Sequence, residues 1–453
     1  MLSILANRAY ARLFSAQVVA LLGTGLLTVA LGLMAYDLAD DAAGVVLGTA
    51  LTIKMVAYVG LSPLANALFA RFNRKYVLIA ADLVRAAIAV LLPFVDAIWQ
   101  IYVLIFVLQT ASASFTPAFQ AAIPDILPDE EDYTRALSLS RLAYDLENII
   151  SPSLAGLLLT MVSYHWLFSG TAIGFFLSTV LIIMTQLPKV PPRVERSFRE
   201  RLTRGIRIYF ATPRLRGLLA LNFVASAAGA MVIVNTVVIV RAILAGSESD
   251  VAIAFVAFGL GSMIAALMLP SLLKDHTDRP VMFLGAVGNV TLLLVLGGYV
   301  VSGGSFGWPI LLGIWLLLGL SYATVLTPSG RLLKRSAHAE DRPALFAAQF
   351  ALSHAGWLVT YPLSGWLGHS FGMGTAMLVL GCMAAVSLVI ALLVWPRSYA
   401  GEELEHRHDD LPLDHPHLLE HGNDEANRRR STSRSHRHVF VIDDEHRIWP
   451  THG

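Results

Sequence analysis

The chain has 453 residues, of which 56% are hydrophobic and only 14% charged, with a mean hydropathy of +0.63. Soluble domains run at about 45–50% apolar and about 25% charged, so this composition excludes an ordinary water-soluble protein and points to a surface that meets lipid. The net charge of +1 says little about partners, because residues 401–453 carry 12 acids against 7 Arg and leave the first 400 residues basic.

A membrane-crossing helix needs about 20 mainly apolar residues. Runs of that kind predict spans over 10–36, 44–69, 76–97, 100–122, 137–160, 165–187, 215–243, 251–273, 281–302, 308–330, 343–367 and 374–395. The first run is too long for the apolar segment of a cleavable signal peptide, so none is expected. Lys and Arg fall on the N-terminus and on every second connection, 21 of them in all, and none falls on the alternating set. Positive residues stay on the cytoplasmic side, which predicts a multi-pass protein of the bacterial inner membrane with both termini in the cytoplasm. The connection over 188–214 divides the spans six and six. It reads as a basic linker between two halves, 1–187 and 215–396, with an amphipathic helix lying on anionic lipid as the alternative. Cys382, the single cysteine, excludes a disulfide framework or a thiolate metal cage.

The halves repeat. Thr116-Pro117 matches Thr327-Pro328, and after a two-residue slip Glu131-Asp132 meets Glu340-Asp341 and Gly156 meets Gly365. Span 5 is thus the counterpart of span 11. Together with the run FTPAFQAAIPDILPDEED before Tyr133, this pattern resembles the major facilitator superfamily, in particular its siderophore and macrolide exporters. The resemblance implies an all-α fold of twelve membrane helices in two pseudo-symmetric six-helix bundles, and an expected monomer. Ser151-Pro152 through Gly156 resembles a weakened form of the superfamily's span 5 antiporter motif. The turn between spans 2 and 3 keeps the basic residues of its gating motif, Arg71, Arg74 and Lys75, but has Asn66 and Ala70 in place of its Gly and Asp.

A charge at mid-bilayer costs about 2.5–3.5 kcal/mol on insertion scales and is a functional hypothesis by default. On span 5, Arg141, Tyr144, Asp145, Asn148 and Pro152 share one helix face, with Glu147 beside that stripe; an internal Arg141–Asp145 ion pair is the bland alternative. The repeat sets Asp145 against His354, Asn148 against Trp357 and Pro152 against Tyr361. Carboxylate and imidazole on facing walls suit a borderline divalent cation, and His354 suits proton exchange. Lys54 on span 2, one turn before Tyr58, would attract an anion, replace the departing cation, or pair with Asp145 or Glu147. Asp82 and Arg85 on span 3 read as a structural pair.

After Pro396 the composition switches. The 397–453 segment holds nine His, including His406, His408, His415, His417, His421, His436 and His438, interleaved with acids. Low hydrophobicity and high charge predict disorder, and such His-rich tracts suggest loose metal capture, with a solvated acidic tail as the alternative. This tail resembles that of facilitator-type nickel-resistance exporters. The leading expectation is therefore proton-coupled export of a divalent metal, nickel first, with cobalt or zinc as further cargo and no resident cofactor. The alternative is export of a siderophore, macrolide or other organic molecule, and a third reading is a transporter-like metal sensor. No phosphate loop, metalloprotease helix or nucleophile elbow points to an enzyme. The basic residues follow the membrane face and give no case for nucleic acid.

Overall fold

The computed structural model describes residues 2–39, 43–61, 64, 72–187, 198–275, 277–338, 341–395, 403–407, 435–443, 446 and 449–450. All twelve predicted apolar segments are helical within those residues. The first half contains α1 (Arg8–Ala39), α2 (Ala43–Val56, running on as a wider turn over Ala57–Leu61), α3 (Arg74–Leu91), α4 (Ile98–Ile126), α5 (Glu130–Leu159) and α6 (His165–Ile183). A separate helix, α7 (Phe198–Ala211), precedes the second half: α8 (Pro213–Val238), α9 (Glu248–Asp275), α10 (Asp278–Val301), α11 (Trp308–Leu326), the short α12 (Ser329–Lys334), α13 (Arg342–Phe371) and α14 (Met373–Val394).

Nine helical stretches among the described residues are long and apolar enough to cross a bilayer. The three predicted spans outside that set are α2, α5 and α13. They are also the helices that carry Lys54, Glu147 and His354.

The repeat is visible in the packing. In the first half α1 packs on α5 and α6, α3 on α4 and α6, and α2 on α4; the second half reproduces this with α8 on α13 and α14, α10 on α11 and α14, and α9 on α11. Among the described residues, the partner pairs α2 with α13 and α5 with α9 make the extensive contacts across the halves. Small residues permit the closest approaches. A Cβ at Gly25 on α1 would stand 2.9 Å from the Glu147 carboxylate and collide with Ser151 on α5.

Helix α7 packs on protein. Its Arg204 is buried and donates to Asp341 (Nη2 to Oδ2 2.7 Å), its Ile208 and Tyr209 are buried, and Gly205 lies against the Ala344 backbone. The amphipathic stripe that sequence alone could place on lipid is thus spent on the start of α13.

The basic residues of the predicted gating turn divide. Arg71 lies outside the described residues. Arg74 starts α3, behind an Asn73 cap, and Lys75 donates from Nζ to the carbonyls of Ile183 (2.6 Å) and Thr185 (2.9 Å), while Arg12 donates to Met184 O (2.6 Å). These cations close the negative end of α6, where terminal carbonyls lack helical partners. In the second half Arg279, at the start of α10, donates to Trp395 O (2.8 Å), just past α14.

The tail is only partly as expected. Strands β1 (Glu403–Arg407) and β2 (Ser435–Val439) form an antiparallel ladder with His406 opposite His436. Beyond it, Phe440, Ile442 and Trp449 are buried in the core cluster of the second half. Disorder is therefore corrected for these residues alone: a short apolar run supplies enough burial to hold them in place. His408, His415, His417 and His421 lie outside the described residues.

Candidate functional site

Helix α13 carries an aromatic face. Phe350, His354, Trp357 and Tyr361 are spaced by four, three and four residues, the interval that stacks side chains on one side of a helix. Adjacent rings on this face touch: Phe350 and His354 centroids are 4.2 Å apart, and Trp357 and Tyr361 4.9 Å apart. Across the interface α2 offers Tyr58, whose ring lies 5.0 Å from both Phe350 and His354. Met55 of α2, Ala230 of α8 and Tyr361 form one buried cluster with Tyr58 and Trp357 packed on it. Tyr322 of α11 extends the wall, 6.3 Å from Trp357 and 5.5 Å from Phe258 of α9.

Three ionisable groups enter this apolar surface. Lys54 Nζ stands 5.5 Å from the Tyr58 ring centroid, a cation–π distance. It interacts electrostatically with Glu147 on α5 and with His354 on α13, yet among the described residues it has no ion pair within 4 Å. His354 Nδ1 lies 2.6 Å from Phe350 O in its own helix. A carbonyl only accepts, so Nδ1 holds the proton and Nε2 is left with a lone pair. Glu147 also lines a cavity of about 240 Å³ between α1 and α5, whose other walls include Phe14, Val18, Leu21 and Leu139. It thus stands between that cavity and the inter-half face.

Of the residues singled out in the sequence, Lys54, Tyr58, Glu147, His354 and Tyr361 are brought together. Tyr144 lies in the same region, within electrostatic reach of Glu147 and Tyr58. The side chains of Arg141, Asp145 and Asn148 lie outside the described residues. No group of three or more His, Cys, Asp and Glu side chains placed to hold a metal occurs among the described residues. Phe350, Phe258 and Tyr322 had no role in the sequence reading; the four-three-four spacing on α13 was a signal for Phe350, whereas nothing local marks the other two.

The Asp82–Arg85 pair is a different kind of site. Arg85 bonds Asp82, Ser178 Oγ donates to the other carboxylate oxygen (2.6 Å), and Phe115 and Phe175 cover the guanidinium at 4.2 and 4.5 Å. Its Nε is buried with no hydrogen-bond partner among the described residues. Closed on every side, the pair joins α3, α4 and α6, as a structural pair should.

The sequence profile of the Major Facilitator Superfamily matches residues 13–240 and 218–438. The chain belongs to this superfamily. Among facilitators, macrolide efflux protein A of Streptococcus pyogenes is 22% identical over 302 residues, covering 65% of this chain and 74% of that protein. The enterobactin exporter EntS of Shigella flexneri is 28% identical over 201 residues, 43% of each chain. The human organic anion transporter MFSD10 (TETRAN) has the same fold, with a TM-score of 0.67 at 13% identity over 85% of this chain and 99% of that one. The protein is therefore a multi-pass membrane transporter of this superfamily, and its likeness to siderophore and macrolide exporters agrees with the sequence pattern.

Proposed function

We propose that this facilitator is a proton-coupled exporter of amphiphilic organic molecules from the bacterial cytoplasm, with both termini on the cytoplasmic side. The observation that carries this reading is the aromatic face of α13 opposed to Tyr58, with Lys54 set into it. Flat apolar surface binds ring-bearing or macrocyclic compounds, and a half-buried cation with no ion pair among the described residues selects those that bring a negative or electron-rich group. Relatives named as macrolide and enterobactin exporters support the same substrate class. Metal export, the first expectation from the sequence, yields to this reading, since nothing in the described interior gathers a ligand set.

Substrate would enter between α2 and α13. Rocking of the halves about the α2–α13 and α5–α9 contacts would expose it to the other side. Glu147, reached from the α1–α5 cavity, and His354, with a free Nε2 lone pair, would take up and release the coupling proton. Lys54 lies between them, so its charge would link proton occupancy to substrate occupancy.

An efflux-deficient bacterial host tests this directly. Cells producing the protein should accumulate less labelled erythromycin or iron-free enterobactin, and a protonophore should abolish the difference. Equal accumulation of both probes with the protein correctly inserted would sink the reading.

A second, separate role is supported by the ladder register. Opposing His406 and His436 put two imidazole-bearing residues at one cross-strand position, and we assign loose capture of Ni²⁺ or Zn²⁺ to the tail. Calorimetric titration of the full chain with Ni²⁺ should lose binding in H406A/H436A; unchanged binding removes this role.

A further inference from the structure

The second half has a docking groove at its basic end, and the chain's own C-terminal segment fills it. Phe440, Ile442 and Trp449 are buried there, and Phe440 packs edge-on against both Trp449 (5.1 Å) and His446 (4.8 Å). Polar contacts tie it to the connection between α12 and α13. Asp443 accepts from His338 of that connection (3.3 Å), and from the His446 ring (2.9 Å) and backbone N–H (2.6 Å) of its own segment. Arg214, at the start of α8, lies 5.6 Å from the Trp449 ring and donates to Ser336 Oγ (2.8 Å) and Arg335 O (2.7 Å). Burial disfavours the Asp443 carboxylate, but the hydrogen bonds from His338 and His446 outweigh it and hold its carboxyl well below the ordinary range.

The same connection touches the other half. Lys334, at the end of α12, places Nζ 5.4 Å from the ring of Tyr133 at the start of α5. Asp341, at its far end, is held by Arg204 of α7. Any movement that separates the basic ends of the halves must part Lys334 from Tyr133, and the segment is fastened to the residues immediately after Lys334.

We propose that Phe440–Trp449 is an intramolecular latch that steadies the α12–α13 connection and so holds the two halves together at their basic end. Release of the latch frees that end to open, which makes the tail a brake on the transport cycle. The proposal needs only that the chain is a transporter and is independent of which molecule it carries.

Hydrogen–deuterium exchange of the full chain in lipid nanodiscs tests it without a substrate. In D443N/W449A, amides of residues 440–443 should exchange rapidly, and those of Ser329–Lys334 and of the first turn of α5 should exchange at least about threefold faster than in the parent protein. A synthetic peptide of residues 439–451, added in excess, should restore the slow rates. If residues 440–443 are released while α12 and α5 keep their parental rates, the segment is docked but brakes nothing. If 440–443 stay protected in both this variant and F440A/D443N/W449A, the contacts named here do not hold the segment. Either result overturns the proposal. Unchanged exchange in α3 and α10 controls for global unfolding.

Discussion

Two cations inside the helices of one half of the molecule are treated in opposite ways. Arg85 meets a carboxylate, itself bonded to a serine, and an aromatic ring on each face, all supplied by its own six-helix bundle. Lys54, among the described residues, meets one ring at 5.5 Å and interacts electrostatically with Glu147 and His354 without an ion pair, across helices that belong to both halves. An enclosed, paired charge fixes a structure. A charge left poised at a moving interface has free energy available for a ligand or a proton, because binding supplies what the resting protein withholds.

Breaking the closed pair should have the largest effect. Asp82→Ala leaves a buried guanidinium uncompensated and should cost about 3–5 kcal/mol, read as a lower unfolding midpoint and poor yield, while D82L/R85M should recover most of it. Lys54→Met inverts the pattern: the unfolding midpoint should hardly move, and export of an anionic probe should fall by about tenfold or more, equivalent to about 1.4 kcal/mol. A stability loss as large as that of Asp82→Ala would show that Lys54 is structural too. Trp357→Ala should follow, weakening probe binding by about 0.5–1.5 kcal/mol for the lost ring contacts, seen as a higher KM with little change in maximal rate. Lys75→Met removes a cation from the end of α6 and should cost about 0.3–1 kcal/mol in unfolding with no change in substrate preference.

The smallest effect concerns pH. Because the Asp443 carboxyl is depressed in the folded chain, its contribution to docking is complete above the ordinary carboxylate value of about 3.9 and is lost only as pH falls below it. Protection of residues 440–443, corrected for intrinsic exchange, should therefore show no loss through Asp443 between pH 8 and pH 5; a loss in that window would mean that another group governs the contact.

The apolar helices were legible because lipid imposes a length and a composition that local sequence records directly. The repeat added the pairing of span 5 with span 11, and the packing follows it. The site was legible in part: Lys54, Glu147 and His354 stand out as charges where charge is expensive, but Tyr322 and Phe258 are ordinary members of apolar helices until the fold brings them beside Trp357. Docking of the run VFVIDDEHRIWP on the transporter body is a reading the sequence allows, but the surface it meets was beyond reach for a related reason. A short run such as VFVIDDEHRIWP declares some affinity for an apolar surface, yet which surface it meets depends on residues more than 100 positions away, such as His338 and Arg214. Likewise α7 reads as a basic linker or a lipid-facing helix until Asp341 is placed opposite Arg204.

Lys75 on the carbonyls ending α6 and Arg279 on the carbonyl ending α14 fasten the third helix of each half to its sixth. With that fastening each half is tied shut from within, and the chain joining them needs only to be a tether. The protein should then tolerate a cut between the halves. Residues 1–190 and 195–453, produced as separate polypeptides, should find one another in the membrane and restore export, with α7 travelling as part of the second piece.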